Sequence, residues 1–273
     1  MELYVLGALL FFLIGVVLSL LGSGGAILTI PVLVYVFDVN PYWATSYSMF
    51  IMGLSNWTAT IDNIRKKYIL YKIGLYFAIP GLLVTFLVRR FVLPDIPDMV
   101  FKNELMHVSK GSALMLVFSF LIFVTAIRTL KSKHVHENVP MAFSPVKSMF
   151  QGAAIGLITG FVGAGGGFLI VPILVLSSKI PIRQAIATSL FVISITTSLG
   201  FLGDLNPSVY MDWPFLIYCA TFCVAGVLVA NSIKDKFTSK TLKLIFGYFI
   251  LSLSILIFII EINKLGLKLV AFL

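Results

Sequence analysis

The chain has 273 residues, of which 59% are hydrophobic and only 11% charged, and its mean hydropathy is +1.05. A soluble domain carries about 25% charged residues, so this composition excludes a water-soluble protein. The net charge of +9 does not point to nucleic acid as a partner, because the basic residues stand in short gaps between apolar runs.

In chain order, the first element is apolar from Leu3 to Leu21, is broken at Gly22-Ser23-Gly24-Gly25, and continues from Ala26 to Phe37. The arm after the break spans roughly 15–18 Å as a helix, about half of a hydrocarbon core, so 3–37 reads as a re-entrant hairpin. The apolar start lacks a basic leader region and is not expected to be a cleaved signal peptide. Spans of about 20 apolar residues follow at 42–62, 69–90 and 109–130. A second broken element, 148–177, has its break at Gly163-Ala164-Gly165-Gly166-Gly167. Three further spans follow at 183–203, 213–233 and 241–262.

The gaps after alternate spans hold 14 of the 20 basic residues, in clusters at 65–72, 128–147, 179–183 and 234–243, and eight of the 11 acidic residues fall in the other gaps. The basic set is therefore cytoplasmic, and both termini are expected outside. Lys179 and Arg183 join that set only if 148–177 enters and returns, which favours hairpins over crossings.

Residues 20–35 align with 161–176 at seven of sixteen positions, including Gly22/Gly163, Gly24/Gly165, Gly25/Gly166, Pro31/Pro172 and Leu33/Leu174. Ala44-Thr45-Ser46 matches Ala187-Thr188-Ser189. The fold class expected is an all-α polytopic membrane protein built of two repeats, residues 1–134 and 135–273, each a broken hairpin plus three spans. Three crossings invert the second repeat relative to the first. Paired, interrupted segments in inverted halves are the sequence mark of a secondary transporter.

The paired G-x-G-G-(A/G)-x-x-x-x-P-x-L blocks, Gly22–Leu33 and Gly163–Leu174, each followed by an A-T-S element, resemble the TauE/SafE family of sulfite and organosulfonate exporters over essentially the whole chain. The resemblance implies a cell-membrane transporter for a sulfur oxyanion or sulfonate such as sulfite, sulfoacetate or thiosulfate. The halves differ at Ala26 against Gly167 and at Tyr47-Ser48 against Leu190-Phe191, so their chemistry is unequal.

Glycine supplies the left-handed conformations and close approach of such turns. The half-helices after them begin with unsatisfied N–H groups and a positive dipole end, which hold an anion without a cation. The expected substrate site is Gly22, Ser23, Gly24, Gly25 and Ala26 from the first break, Gly163, Ala164, Gly165, Gly166 and Gly167 from the second, and the hydroxyls of Thr45, Ser46, Ser48, Thr188 and Ser189. Both breaks are expected to meet at the bilayer midplane. Asn56, an amide inside a span, is expected on the path. Because acidic and basic residues are absent from span centres, the anion is expected to rest on backbone dipoles rather than on a buried cation.

Other features carry less. Gly152, Gly156 and Gly160 follow a helix-packing spacing, Asp62 is expected in a solvated ion pair near Arg65–Lys67, and Pro31 and Pro172 are expected to kink or end their arms. Cys219 and Cys223 read as small apolar residues. His107, His134 and His136 form no metal set. The nucleophile-elbow, zinc-protease and P-loop motifs are absent, so no enzyme activity, cofactor or metal is expected. The expected partners are a small anion and the lipid bilayer, with a homodimer left open. An anion channel, or a non-transporting or enzymatic membrane protein, are the rival readings.

Overall fold

Each long apolar run becomes a helix because, without water, a segment must satisfy its own backbone groups. The computed structural model describes residues 2–21, 26–97, 99–103, 106–131, 143–163, 166–205, 211–233 and 239–264. The proposed joint between the repeats at 134/135, together with His134 and His136, lies outside them.

Helix α1 (Glu2–Leu21) is followed by α2 (Ala26–Pro31), which Pro31 ends, and by a π-helical turn, Val32–Val36. Helix α3 (Pro41–Arg65) starts with proline at its first position, where no N–H is needed, and the Asn40 side chain accepts from Tyr42 N at 2.9 Å as its cap. Helix α4 (Tyr71–Leu87) runs through a second π-helical turn, Val88–Val92, into the short α5 (Leu93–Asp95). A small antiparallel pair, β1 (Met99–Asn103) and β2 (Met106–Ser109), stands in the connection to α6 (Lys110–Lys131); it leaves the helical class unchanged. Helices α7 (Pro145–Val162), α8 (Gly167–Ser177), α9 (Ile182–Asp204), α10 (Trp213–Ile233) and α11 (Ser239–Lys264) complete the described chain. In α8 Pro172 is accommodated without ending the helix.

Among the described residues four stretches are long and apolar enough to cross a membrane: Tyr71–Asp95, Lys110–Arg128, Arg183–Asp204 and Trp213–Ser232. The other two expected spans are helical throughout, as α3 and α11. Helix α3 is less apolar because its polar residues face protein: Thr45, Ser46, Ser48, Ser55, Asn56 and Thr60 are all buried.

Helices α3 and α9 cross antiparallel at the centre, where Gly53 lies against Ser198 and the Thr60 and Ser194 hydroxyls share a hydrogen bond of 2.9 Å. Around them α1 packs on α10, α4 on α7, α6 on α11, α3 on α10 and α4 on α9. The spacing at Gly152, Gly156 and Gly160 is used for packing. A Cβ on Gly152 would stand 2.3 Å from Phe77 O, one on Gly156 2.3 Å from Gly81 O, and one on Gly160 2.7 Å from Val88 Cβ. The α1–α10 crossing is equally close, with Gly15 on the Cys223 carbonyl and Gly226 on that of Phe12.

Both broken elements enter and return. Gly7, near the start of α1, touches the Phe37 ring at the end of the returning arm. At the other end of the bundle Phe143, just before α7, stacks on Tyr76, while Thr188, just after the returning α8, accepts from Leu70 N at 3.0 Å. The two arms also terminate alike. Asp38 and Lys179 both take φ of 54°, and Val39 N donates to Leu33 O at 3.0 Å just as Ile180 N donates to Leu174 O at 3.2 Å.

The backbone contact at Gly156 leaves no room for a side chain. Gly156→Leu is expected to lower the thermal unfolding midpoint of the detergent-solubilised protein, with overpacking of about 1–3 kcal/mol or more. Gly203→Ala, whose new methyl meets its nearest atoms at 3.4–3.5 Å, should leave the midpoint within the error of the measurement.

Candidate functional site

The Arg89 side chain lies in the π-helical turn after α4 and is 1% exposed. Its Nε donates to both oxygens of Asp204, at 2.8 and 2.7 Å, and its Nη2 pairs with Asp204 Oδ2 at 2.5 Å. Nη2 also donates to Ser46 Oγ at 2.8 Å and Thr45 Oγ1 at 3.1 Å, and Nη1 to Gly160 O at 3.1 Å. One guanidinium thus joins the start of α3, the end of α4, the end of α7 and the end of α9. A buried charge is tolerated only when paired and hydrogen-bonded, and here both conditions are met.

Arg89 and Asp204 of this cluster line a cavity of about 1120 Å³ at the end of the bundle where α3 begins. The lining includes Arg89, Arg90, Lys110 and Lys264 against Asp204 and Glu261, a basic surplus that favours anions. Lys110 is itself buried, donating to the carbonyls of Leu93 and Ile96 and lying 4.5 Å from the centre of the Tyr42 ring. Glu261 accepts from Tyr35 at 3.0 Å and pairs with Lys264 at 3.2 Å.

Gly163 and Gly166, in the second break, take φ of 75° and 62°, the left-handed conformations expected of them. A Cβ on Gly163 would stand 2.4 Å from Thr45 Cβ, so glycine lets this break close onto α3 beside Arg89. Gly166 lies against Thr159 and Gly167 opens α8. Gly22, Ser23, Gly24, Gly25, Ala164 and Gly165 lie outside the described residues, and Ala26 opens α2.

The hydroxyls divide. Thr45 and Ser46 join the Arg89 cluster. Thr188 instead holds Leu70 N, at the start of α4, and Ser189 Oγ donates to Ile186 O at 2.8 Å. The two A-T-S elements do not meet. Each lies near the start of its helix, α3 and α9 are antiparallel, and from the Thr60–Ser194 contact the elements stand roughly 30 Å apart along the helix axes at 1.5 Å per residue. The second break is also not midway along α3. It meets α3 at Thr45, one turn from its start, because α7 with 18 residues is about 27 Å long and carries the break almost across the bundle.

Along α3, Ser48 and Asn56 are fully buried, and Ser48 Oγ and Asn56 Oδ1 find no hydrogen-bond partner, while the Asn56 amide donates to Met52 O at 2.7 Å. Eight residues apart, they share one face of the helix. Asp62 pairs with Lys66 at 3.4 Å, partly exposed, as expected of a solvated pair. Cys219 and Cys223 are buried and free. No group of three or more metal-ligating side chains occurs among the described residues.

The profile of the family described as Sulfite exporter TauE/SafE matches residues 7–257. The chain belongs to that family. Among its relatives, a probable membrane transporter protein of Xylella fastidiosa strain 9a5c is 25% identical over 252 residues, covering 89% of this chain and 90% of that protein. The probable membrane transporter protein YunE of Bacillus subtilis is 26% identical over 251 residues, covering 85% and 88%. One from Methanocaldococcus jannaschii is 23% identical over 246 residues, covering 85% and 87%. No solved structure matches the chain. The protein is a multi-pass membrane transporter of the TauE/SafE family.

In this TauE/SafE member, the residues that sequence reasoning missed are Arg89 and Asp204, both counted only with the charges at the ends of spans. Arg89-Arg90 is followed directly by Phe91-Val92-Leu93, and Asp204 is embedded between Phe201-Leu202-Gly203 and Leu205. A charge with apolar residues on both sides was the available signal. Arg89→Ala would leave Asp204 buried and unpaired, a loss of about 3–5 kcal/mol, read as a lower unfolding midpoint. The double variant Arg89→Leu with Asp204→Leu should recover most of that loss; equal loss in both would mean that the pair does not couple.

Proposed function

We propose that this transporter moves a small sulfur oxyanion or sulfonate, such as sulfite, sulfoacetate or thiosulfate, across the cell membrane by alternating access between two inverted halves. The observation that carries the mechanism is the pair of glycine-broken hairpins, which enter from opposite ends and close with the same backbone pattern at Asp38 and Lys179. The exchanged pairing of α1 with α10 and α4 with α7 supports the same symmetry, since each hairpin's long arm packs on the second span of the other half. Joined in this way, the halves can rock about the α3–α9 crossing, opening one end while closing the other.

The anion is held by backbone N–H groups at the start of the returning half-helices, Ala26 in the first half and Gly167 in the second, with Thr45 and Ser46 beside the second. By the charge bias the cavity end faces outward and 65–72 and 234–243 face the cytoplasm. The unpartnered Ser48 and Asn56 oxygens supply polar lining between the two breaks. The Ser48 hydroxyl can donate to an anion, whereas Asn56 Oδ1 only accepts and suits water or a protonated substrate oxygen. A secondary carrier needs no cofactor.

Proteoliposomes offered sulfite, sulfoacetate, taurine, thiosulfate and sulfate test this reading. Saturable uptake of at least one sulfur anion, accelerated by the same anion trapped on the far side, is expected. Flux that never saturates and lacks counterflow would make the protein a channel, and no flux for any of them with an intact fold would remove the sulfur-anion assignment. Gly166→Leu, which puts a side chain into the break where Thr159 Oγ1 stands 2.2 Å from a Cβ, should abolish uptake.

A further inference from the structure

We propose that Arg89 is the group that recognises the anion at the cavity, and that Asp204 is a built-in competitor whose carboxylate occupies the substrate's place until an oxyanion displaces it. The inference rests on the anion-transport reading and deepens it. The ligand class is an oxyanion with at least two oxygens on one centre, as in a sulfite, a sulfonate or a carboxylate.

The first argument is the shape of the pair. The Asp204 carboxylate lies along the Nε–Nη2 edge of the guanidinium, with both oxygens within 2.8 Å of Nε and one on Nη2. That edge of parallel N–H donors is what a sulfite or sulfonate presents its own oxygens to, since Arg binds planar two-oxygen faces more specifically than a point cation does. The second argument is what holds Arg89. Thr45, Ser46 and Gly160 fix the guanidinium from the protein side, so the acceptor can be exchanged without moving the cation. The third is access. Arg89 and Asp204, although buried, both line the 1120 Å³ cavity, whose rim adds the exposed Arg90 and the Lys264 head group. Asp204 is the last residue of α9 and is followed by the extended Leu205, so its side chain is carried by a helix end rather than locked in mid-helix. Mere stability does not require such a pair, because an apolar substitute of similar volume often serves as well.

The exchange conserves charge. One carboxylate leaves the guanidinium and turns into the basic cavity, and one anion takes its place, so the buried cation is never without a counter-charge. The Gly163 turn packs on Thr45, the residue that shares Nη2 with the carboxylate. The occupant of Arg89 is therefore sensed one residue away from the second hairpin break.

The test uses the full-length purified transporter in detergent, with sulfite as the probe, sulfate as a second oxyanion and chloride as the control. Binding is read as the rise of the unfolding midpoint with anion concentration. Asp204→Asn should have a lower midpoint than wild type without anion and bind sulfite at least tenfold more tightly, so that sulfite restores more stability to it than to wild type. Arg89→Lys should bind sulfite at least tenfold more weakly, and Asp204→Asn combined with Arg89→Lys should stay weak. Unchanged or weaker sulfite binding in Asp204→Asn overturns the proposal. So does an Asp204→Asn protein that remains unfolded when extracted in sulfite, because a structural pair is not rescued by a free anion. Sulfite flux by wild type with unaltered affinity in both variants overturns the competitor and leaves the transport reading standing. Rescue of Asp204→Asn by sulfite with no flux through wild type keeps the site and removes the transport reading.

Discussion

A guanidinium buried in an apolar bundle has to be neutralised and saturated with acceptors, and the end of the molecule around the cavity is arranged to do this for Arg89. Taking such a charge out of water costs several kcal/mol even after relaxation, so the partners cannot be incidental. The carboxylate comes from the last residue of α9, two hydroxyls from the first turns of α3, and a carbonyl from the last turn of α7. These helices belong to distant stretches of chain. Their ends converge because α3 and α9 cross antiparallel while α7 runs parallel to α4, which brings Gly160 level with Val88. A π-helical turn at Val88–Val92 sets the residue's rotation about the α4 axis; such turns recur at functional sites.

Close helix approach makes the convergence possible. With glycine at 152, 156 and 160, α7 lies on the α4 backbone, and Thr85 Oγ1 donates across the contact to Gly156 O at 2.9 Å. In hydrocarbon there is no hydrophobic drive between helices, so contact of small residues and hydrogen bonds of this kind hold them together. Each hairpin's long arm is thereby fixed to a span of the opposite half.

Most of the architecture was legible because it is written in local signals. Apolar length gave the spans, the glycine clusters gave the breaks, and the charge bias required 148–177 to return, as the Phe143–Tyr76 and Leu70–Thr188 contacts bear out. The packing role of Gly152, Gly156 and Gly160 followed from spacing alone. The site was legible only in pieces. Thr45, Ser46 and Gly163 do come together, yet the residue that gathers them was counted as loop charge, because its counter-ion lies 115 positions away and no periodicity links the two. Thr188 and Ser189 stand apart from this cluster for a different reason. They begin α9 as Thr45 and Ser46 begin α3, and because α3 and α9 run antiparallel, positions near the two helix starts fall at opposite ends of the bundle.

Under the inverted-repeat reading proposed above, the two ends of the bundle can be compared position by position. An offset of 142 residues pairs Gly81 with Cys223, the backbone contacts of the two close crossings, and pairs Arg89 with Asn231. Asn231 accepts from Ser19 at 2.6 Å, as Arg89 donates to Gly160 at the same place on the other long arm. At the Asn231 end the Asp62 carboxylate faces Lys66 of its own helix end in a partly exposed pair. Where one end has a buried guanidinium and carboxylate, the other has a neutral amide and a partly exposed acid. If the halves rock symmetrically, their closed ends are still not equivalent in energy. The cavity end holds a desolvated ion pair that is intact while the cavity beside it is open, whereas the far end joins a serine and an asparagine near a partly exposed ion pair. If an oxyanion does displace Asp204 from Arg89, the neutral Ser19–Asn231 contact at the other end offers it no matching exchange.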